Sequence, residues 1–298
     1  MTSLEELNSI FGEDGKQYFE YLKNKQKGGI NNSKGNTFEN YFAIHQIAKS
    51  VNENADLDKT LFSSQAFCFI DDLVMEQTEE RINHHYQIKD VLDLNWKNGR
   101  NSVSEDFIRQ YEMSRGTSIT SHLGLVVSRE KLRETLIEDI PEEIKNTVRV
   151  IHFQSASSLN NLIRHNSLIK DELSRLCALR NPSIDKLETL GPILLGSWDT
   201  TNKTRVSLRE LLNSCYTINP NFIKGHSTRV SQKLNDIFLT LEGFDFVVEN
   251  GFLQWSYNAT DSGVLQYRIG TREFEQWEND VFNSDIKKFE DIEPFLAS

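Results

Sequence analysis

Cysteine is nearly absent. The 298-residue chain has three, Cys68, Cys177 and Cys215, which are odd in number, far apart and without zinc-like spacing. A disulfide framework is therefore excluded, and all three are expected as reduced core residues. No apolar run approaches the length of a membrane span. The opening Met1-Thr-Ser-Leu-Glu-Glu6 lacks the basic start and apolar core of a signal peptide, so no membrane role is expected and the cytoplasm is the expected location. There is no internal repeat, low-complexity tract, G-x-x-x-x-G-K-[ST] phosphate loop, G-x-S-x-G elbow or H-E-x-x-H helix. Any ATP dependence would have to come from another subunit. Positive charge is also short, with 33 Lys and Arg against 44 Asp and Glu and a net charge of −11. The whole-molecule field thus repels phosphates, and nucleic-acid binding would need local basic surface or metal-neutralised acids.

A chain of 298 residues that is 38% hydrophobic and 10% aromatic can bury a substantial core. Two domains are expected, 1–155 and 156–298. The chain is organised around Ala66–Asp90. Phe67-Cys-Phe-Ile-Asp-Asp-Leu-Val-Met75 reads as an apolar strand interrupted by two carboxylates. Tyr86-Gln-Ile-Lys-Asp90 alternates, with Gln87 and Lys89 on one face and Tyr86 and Ile88 on the other. Paired antiparallel, the two strands bring Asp72, Gln87 and Lys89 together. An acid, a second oxygen ligand and an amine form a minimal kit for metal-assisted phosphodiester hydrolysis. Each residue also has a plainer use. A Q-x-K on a half-solvated strand, an Asp-Asp turn and a first-turn helical acid at Glu39 are all ordinary.

The order Glu39, Asp72, Gln87-Ile-Lys89 resembles the PD-(D/E)xK nuclease superfamily in its QxK form. The patterns Gly35-Asn-Thr-Phe-Glu39-Asn-Tyr-Phe-Ala43, Ile70-Asp-Asp-Leu-Val74 and Tyr86-Gln-Ile-Lys-Asp90 more narrowly resemble the nuclease domain of bacterial antiphage effectors, of the CBASS-associated double-stranded DNA endonuclease and Lamassu types. The resemblance covers about residues 28 to 155. It implies an α/β fold with a restriction-endonuclease-like mixed sheet flanked by helices. It further implies a metal-dependent DNA endonuclease in which Asp72, Gln87 and Glu39 serve Mg²⁺, or Mn²⁺ in its place, and Lys89 activates water. Asp72 is preferred to Asp71 because it directly precedes Leu73-Val-Met75, where the superfamily keeps its metal ligand. A neutral glutamine where most members carry glutamate implies weaker Mg²⁺ binding or dependence on an activating partner. One site cuts one strand, so a homo-oligomer is expected, with an ATPase or SMC-like subunit as a candidate partner. A non-catalytic DNA-binding or adaptor protein, or an RNA nuclease, are the alternatives.

The remaining expectations follow from periodicity. Residues 1–22 read as helices broken near Gly12 and Gly15, and Lys23 to Gly35 as a basic loop leading to a helix over Thr37–Asn52. Strands are expected at 123–128 and 148–153, and helices at 104–114 and 132–144. One long helix is expected over 158–179, a loop from Gly191-Pro192 to Thr204, a Ser207 to Glu210 capping box, and short helices from Asn219 and Ser227. Three strands at 244–248, 251–257 and 264–269 and a helix over 273–289 complete a mainly helical, winged-helix-like C-terminal domain. Arg205, Arg209, Lys224, Arg229 and Lys233 are its candidate cations for a DNA backbone. His84-His85 is not read as a metal pair, because adjacent strand residues point to opposite faces.

Overall fold

The computed structural model describes residues 3–32, 37–53, 55–97, 102–117, 119–201, 203–219, 222–224, 230–249 and 251–296. Gly35, Lys34, Arg100 and Arg229 lie outside these residues. The chain divides into two compact units, Met1–Arg175 with Ser183–Leu212, and Leu176–Pro182 with Asn213–Ser298. Residues 156–175 and 183–212 therefore belong with the first unit, beyond the expected boundary at 155.

The first unit is mixed α/β. Helix α1 (Leu4–Phe11) starts in a capping box between Ser3 and Glu6, and a 3-10 turn at Gly12–Asp14 leads into α2 (Gly15–Asn32). The basic stretch expected as a loop is thus helical through Asn32. Helix α3 (Thr37–Asn52) follows, then an antiparallel meander of β1 (Thr60–Ser63), β2 (Leu73–Gln77) and β3 (Ile82–Lys89). Helix α4 (Val103–Arg115) crosses over to β4 (Thr120–Val127), which runs parallel to β3. Helix α5 (Glu130–Glu138) crosses to β5 (Val148–His152), parallel to β4. With the short β6 (Val206–Ser207) the sheet reads β5-β4-β3-β2-β1-β6.

Alternation assigns the two faces of the sheet. On one, Leu123, Leu125 and Val127 of β4 pack with Phe107 of α4 and Leu132 and Leu136 of α5. On the other, Phe42 of α3 meets Tyr86 edge-on at 5.1 Å. Gly124 is required there, because a Cβ would come within 2.7 Å of the Tyr86 ring.

The strand expected at Phe67–Met75 begins only at Leu73. The preceding apolar run is an irregular segment whose Phe69 and Ile70 are buried against different clusters, so its hydrophobicity reflects loop burial rather than strand pairing. The hairpin turn spans only residues 78–81, because β3 begins at Ile82, and His84 and His85 lie within β3 on opposite faces. The helix expected over 158–179 is two, α6 (Leu159–His165) and α7 (Ser167–Leu176), divided at Asn166. The loop expected from Gly191 is instead the interior of α8 (Ile184–Thr200). Pro192 sits inside the helix, and burial of Leu187, Leu190, Leu194 and Trp198 outweighs the lost backbone bond.

The capping box of α9 (Leu208–Ile218) forms as expected, with Ser207 and Glu210 exchanging bonds of 2.8 to 3.1 Å. Ile223 is not helical but bridges Cys177. In the second unit α10 (Gln232–Thr240) leads into an antiparallel sheet of β7 (Phe244–Glu249), β8 (Phe252–Tyr257) and β9 (Asp261–Arg268). Helices α11 (Arg272–Phe282) and α12 (Phe289–Leu296) replace the single helix expected over 273–289. Phe238, Leu253, Leu265, Phe274 and Trp277 form this unit's core. All three cysteines are buried and free, and among the described residues no helix is long and apolar enough to cross a membrane.

His45 of α3 is 7% exposed and stacks on Phe153 at 5.5 Å. Burial, more than the opposing charge of Glu172, lowers its pKa to about 4. The folded state thus favours the neutral ring, and stability present above the unfolded pKa of about 6.5 is lost as pH falls toward 4. Replacing His45 with Phe should flatten this acid limb by roughly 2–3 kcal/mol in urea unfolding between pH 7 and 4. An unchanged pH slope would contradict the assignment.

Candidate active site

The β2–β3 register pairs Leu73 with Tyr86, which sets Asp72 beside Gln87 at the end of the hairpin away from its turn. Three donors converge on one oxygen of Asp72. Gln87 Nε2 donates to Oδ2, the Ile88 backbone N–H donates at 2.7 Å, and Lys89 Nζ lies at 3.3 Å. Asp72 and Gln87 are 6% and 5% exposed, whereas the Lys89 side chain is one-third exposed. The site therefore has a buried acid and amide at its floor and an ammonium at its mouth.

Glu39 comes from the first turn of α3 and accepts a bond from Gln65 Nε2 at 3.4 Å. Burial first, then the charge of Asp72, raises its pKa to about 8, with Lys89 opposing. The four residues singled out in the sequence are thus brought into one electrostatic neighbourhood. Among the described residues, no three acids, histidines or cysteines are grouped closely enough to hold a metal ion by themselves. The acids of this neighbourhood beside Gln87 are Asp72 and Glu39, and Gln87 itself is a neutral amide.

Asp71 is turned to a different task. Its Oδ1 lies 3.2 Å from Lys25 Nζ, and the same ammonium reaches Asp106 Oδ2 at 3.0 Å and donates to the Phe69 carbonyl. Tyr21 donates to Asp106 at 3.0 Å. Burial raises Asp71 to about 6 although Lys25 opposes it; burial also works against the Lys25 charge, but Asp71 and Asp106 together raise that pKa. Gln110 Oε1 accepts from the Phe69 and Ile70 N–H groups at 3.0 and 3.4 Å. His85 Nδ1 lies 3.3 Å from the Ile70 carbonyl. The segment that delivers Asp72 thus has no strand partner, and its backbone groups are met by these side chains together with the local backbone bonds Ala66 N–H to Asp71 O and Cys68 N–H to Ala66 O.

Lys25, Asp106 and Gln110 had not been expected here. A signal for Lys25 was present: Tyr18, Tyr21, Leu22 and Lys25 share one helical face at i, i+3, i+4 and i+7, which places the lysine on an apolar stripe.

Asn83 and His85 precede Gln87 and Lys89 on the same strand face, and with Gln65 and Phe67 they line a cavity of 390 Å³. Of the cations expected to serve a DNA backbone, Arg205 and Arg209 belong to the first unit and pair with Glu76 at 3.2 Å and Asp58 at 2.6 Å. Lys233 covers the Phe282 ring at 4.0 Å.

No protein-family model matches the chain. No curated protein matches it either. Among solved structures, a receptor of Acinetobacter baumannii, Cap4, containing a SAVED/CARF domain and determined with the cyclic trinucleotide 3'3'3'-cAAA, is similar at 13% identity with a TM-score of 0.41. The match covers 62% of this chain and 45% of that protein, less than half its length. At that score the likeness carries no argument about this chain.

Replacing Lys25 with Met would leave two buried carboxylates without their shared cation, at a cost of about 3–5 kcal/mol. Urea unfolding at pH 7 should show that loss, with partial recovery when Asp71→Asn is added. A Lys25→Met chain as stable as wild type would rule the clamp out.

Proposed function

We propose that the chain is a metal-dependent DNA endonuclease of the PD-(D/E)xK type, in its QxK form. The observation that carries this reading is the convergence of Gln87, the Ile88 N–H and Lys89 on Asp72, with Glu39 in electrostatic reach. The order of elements supports it. A helix bearing the first acid, an antiparallel meander bearing Asp72 and Gln87-x-Lys89, a crossover helix and a parallel fourth strand resemble the restriction-endonuclease-like core.

Mg²⁺, or Mn²⁺ in its place, fits the donor set in kind. The carboxylates of Glu39 and Asp72 and the amide oxygen of Gln87 are hard oxygen donors. Gln87 directs its nitrogen at Asp72, and turning the amide over presents Oε1 instead. The pKa of Glu39 is raised by burial first and then by the charge of Asp72, and a cation bound between the two carboxyls would favour the ionised form of both. When bound, the ion supplies Lewis-acid polarisation of the phosphoryl group. Lys89 orients the attacking water and offsets charge on the phosphorane, while Asp72 holds the ammonium in place.

On the motif resemblance, the enzyme serves as an effector of bacterial antiphage defence, held off until a partner or oligomerisation assembles two sites. A separate ATPase or SMC-like subunit is one such partner. The second unit, in which a helix leads into a three-stranded antiparallel sheet, keeps the winged-helix-like reading as part of the proposal.

A second reading has its own support. Asp72 Oδ2 already accepts three donors, and no third acid joins the group among the described residues, as in a degenerate core retained for DNA binding or as an adaptor.

Plasmid DNA and single-stranded RNA, incubated with wild type and Lys89→Ala in Mg²⁺, Mn²⁺ or EDTA over a range of protein concentrations, separate these readings. The nuclease should cut DNA only with metal, lose at least about 10²-fold in rate in the variant, and rise steeply with concentration. Metal-independent DNA binding with equal affinity in both proteins, and no cutting, would favour the adaptor. Preferential cutting of RNA would reassign the substrate, since these residues do not specify the sugar.

A further inference from the structure

Arg268, the last residue of β9, is 2% exposed. Its guanidinium lies between two rings, with Cζ 4.7 Å from the Tyr216 centroid and 5.0 Å from that of Phe252, its cross-strand neighbour. The buried Nε and Nη1 atoms have no hydrogen-bond partner among the described residues. No carboxylate there forms an ion pair with Arg268. Ring faces attract a cation but accept no N–H in the plane of the fork, so they compensate only part of the desolvation. A guanidinium cannot escape by losing its proton. Burial lowers its pKa, and Tyr216 opposes that shift.

Arg268 lines a cavity of 610 Å³, within the size range of small-ligand and cofactor sites. Other cavity groups reinforce positive potential there. Arg272 adds a second guanidinium, and Thr271 caps the N-terminus of α11, whose dipole favours an anion. Gly270 at φ +85° makes the tight turn that sets strand end and helix start side by side. Asn213, Thr217 and Gln266 supply neutral hydrogen-bonding groups, and Tyr216, Phe252 and Tyr267 supply flat apolar surface. Glu273 and Glu275 also border the cavity.

We infer that this cavity binds a small phosphorylated ligand of nucleotide class, whose phosphate pairs with Arg268 and whose ring system rests on the aromatic lining. A guanidinium fork matches phosphate oxygens in bidentate geometry, and a helix N-terminus is a recurrent phosphate site. A residue 2% exposed is beyond the reach of phosphates on a duplex surface, so the ligand is a molecule that enters the cavity. The inference is independent of the nuclease reading.

Thermal unfolding with adenosine monophosphate, inorganic phosphate, glutarate or a short DNA duplex, on wild type, Arg268→Met and Asp72→Asn, tests it. The nucleotide at millimolar concentration should raise the wild-type Tm by several degrees, inorganic phosphate by less, and glutarate and duplex by little. The rise should vanish in Arg268→Met, whose ligand-free Tm equals or exceeds wild type, and persist in Asp72→Asn. If Arg268→Met does not fold, Arg268→Lys keeps the charge without the fork, and its affinity should drop at least about tenfold. No nucleotide-dependent rise in wild type, an equal rise in Arg268→Met, unchanged affinity in Arg268→Lys, or a larger rise with glutarate or duplex would each overturn the inference.

Discussion

The buried ammonium of Lys25 is the constraint on which the candidate site depends. It bridges Asp71 and Asp106 and caps the Phe69 carbonyl, tying α2 and α4 to a segment without strand pairing. That segment ends at Asp72. Removing a partner from such a cluster costs more than the cluster contributes net, because an isolated buried charge is what remains. The interaction thus acts as a positional device. It turns Asp71 inward and leaves Asp72 facing β3, so that two adjacent acids serve two different ends.

The site built on this clamp balances opposing charges at close quarters. Asp72 is satisfied by Gln87, the Ile88 N–H and Lys89, while Glu39 is held at a raised pKa by burial and by the same acid. A glutamine in place of a further carboxylate lowers the repulsion that an empty site must tolerate, and it lowers the attraction for a divalent cation with it. A site poised in this way is less costly to keep folded without metal and more dependent on substrate or assembly to complete it. This is the electrostatic counterpart of the regulated nuclease proposed above.

The sequence was most informative where local pattern and tertiary role coincide. Alternation in Tyr86–Lys89 put Gln87 and Lys89 on one face, and the strand start at Leu73 put Asp72 next to them. The three C-terminal strands also lie close to their expected bounds. It was least informative where burial uses the same residues for another purpose. Phe67–Ile70 is apolar enough for a strand, yet its side chains fill two separate clusters, the two rings in one and Ile70 in the other. Gly191-Pro192 signals a break, yet packing of Leu190, Leu194 and Trp198 holds the helix through it. Lys25, in a run of lysines, carried the composition of a solvated loop, and only its place on a helical stripe marked it as buried. Arg268 looked like any strand residue, because the absence of an ion-pair partner is a property of the fold alone.

The most direct test of the central claim is calorimetric titration of Mg²⁺ into wild type and Asp72→Asn, with no nucleic acid present. Weak binding, with dissociation constants in the millimolar range, is expected in wild type and none in the variant, since the substitution removes one of the two carboxylates offered to the ion. Equal heats of binding in both proteins, or none in wild type at any Mg²⁺ concentration reached, would contradict a metal site at Asp72.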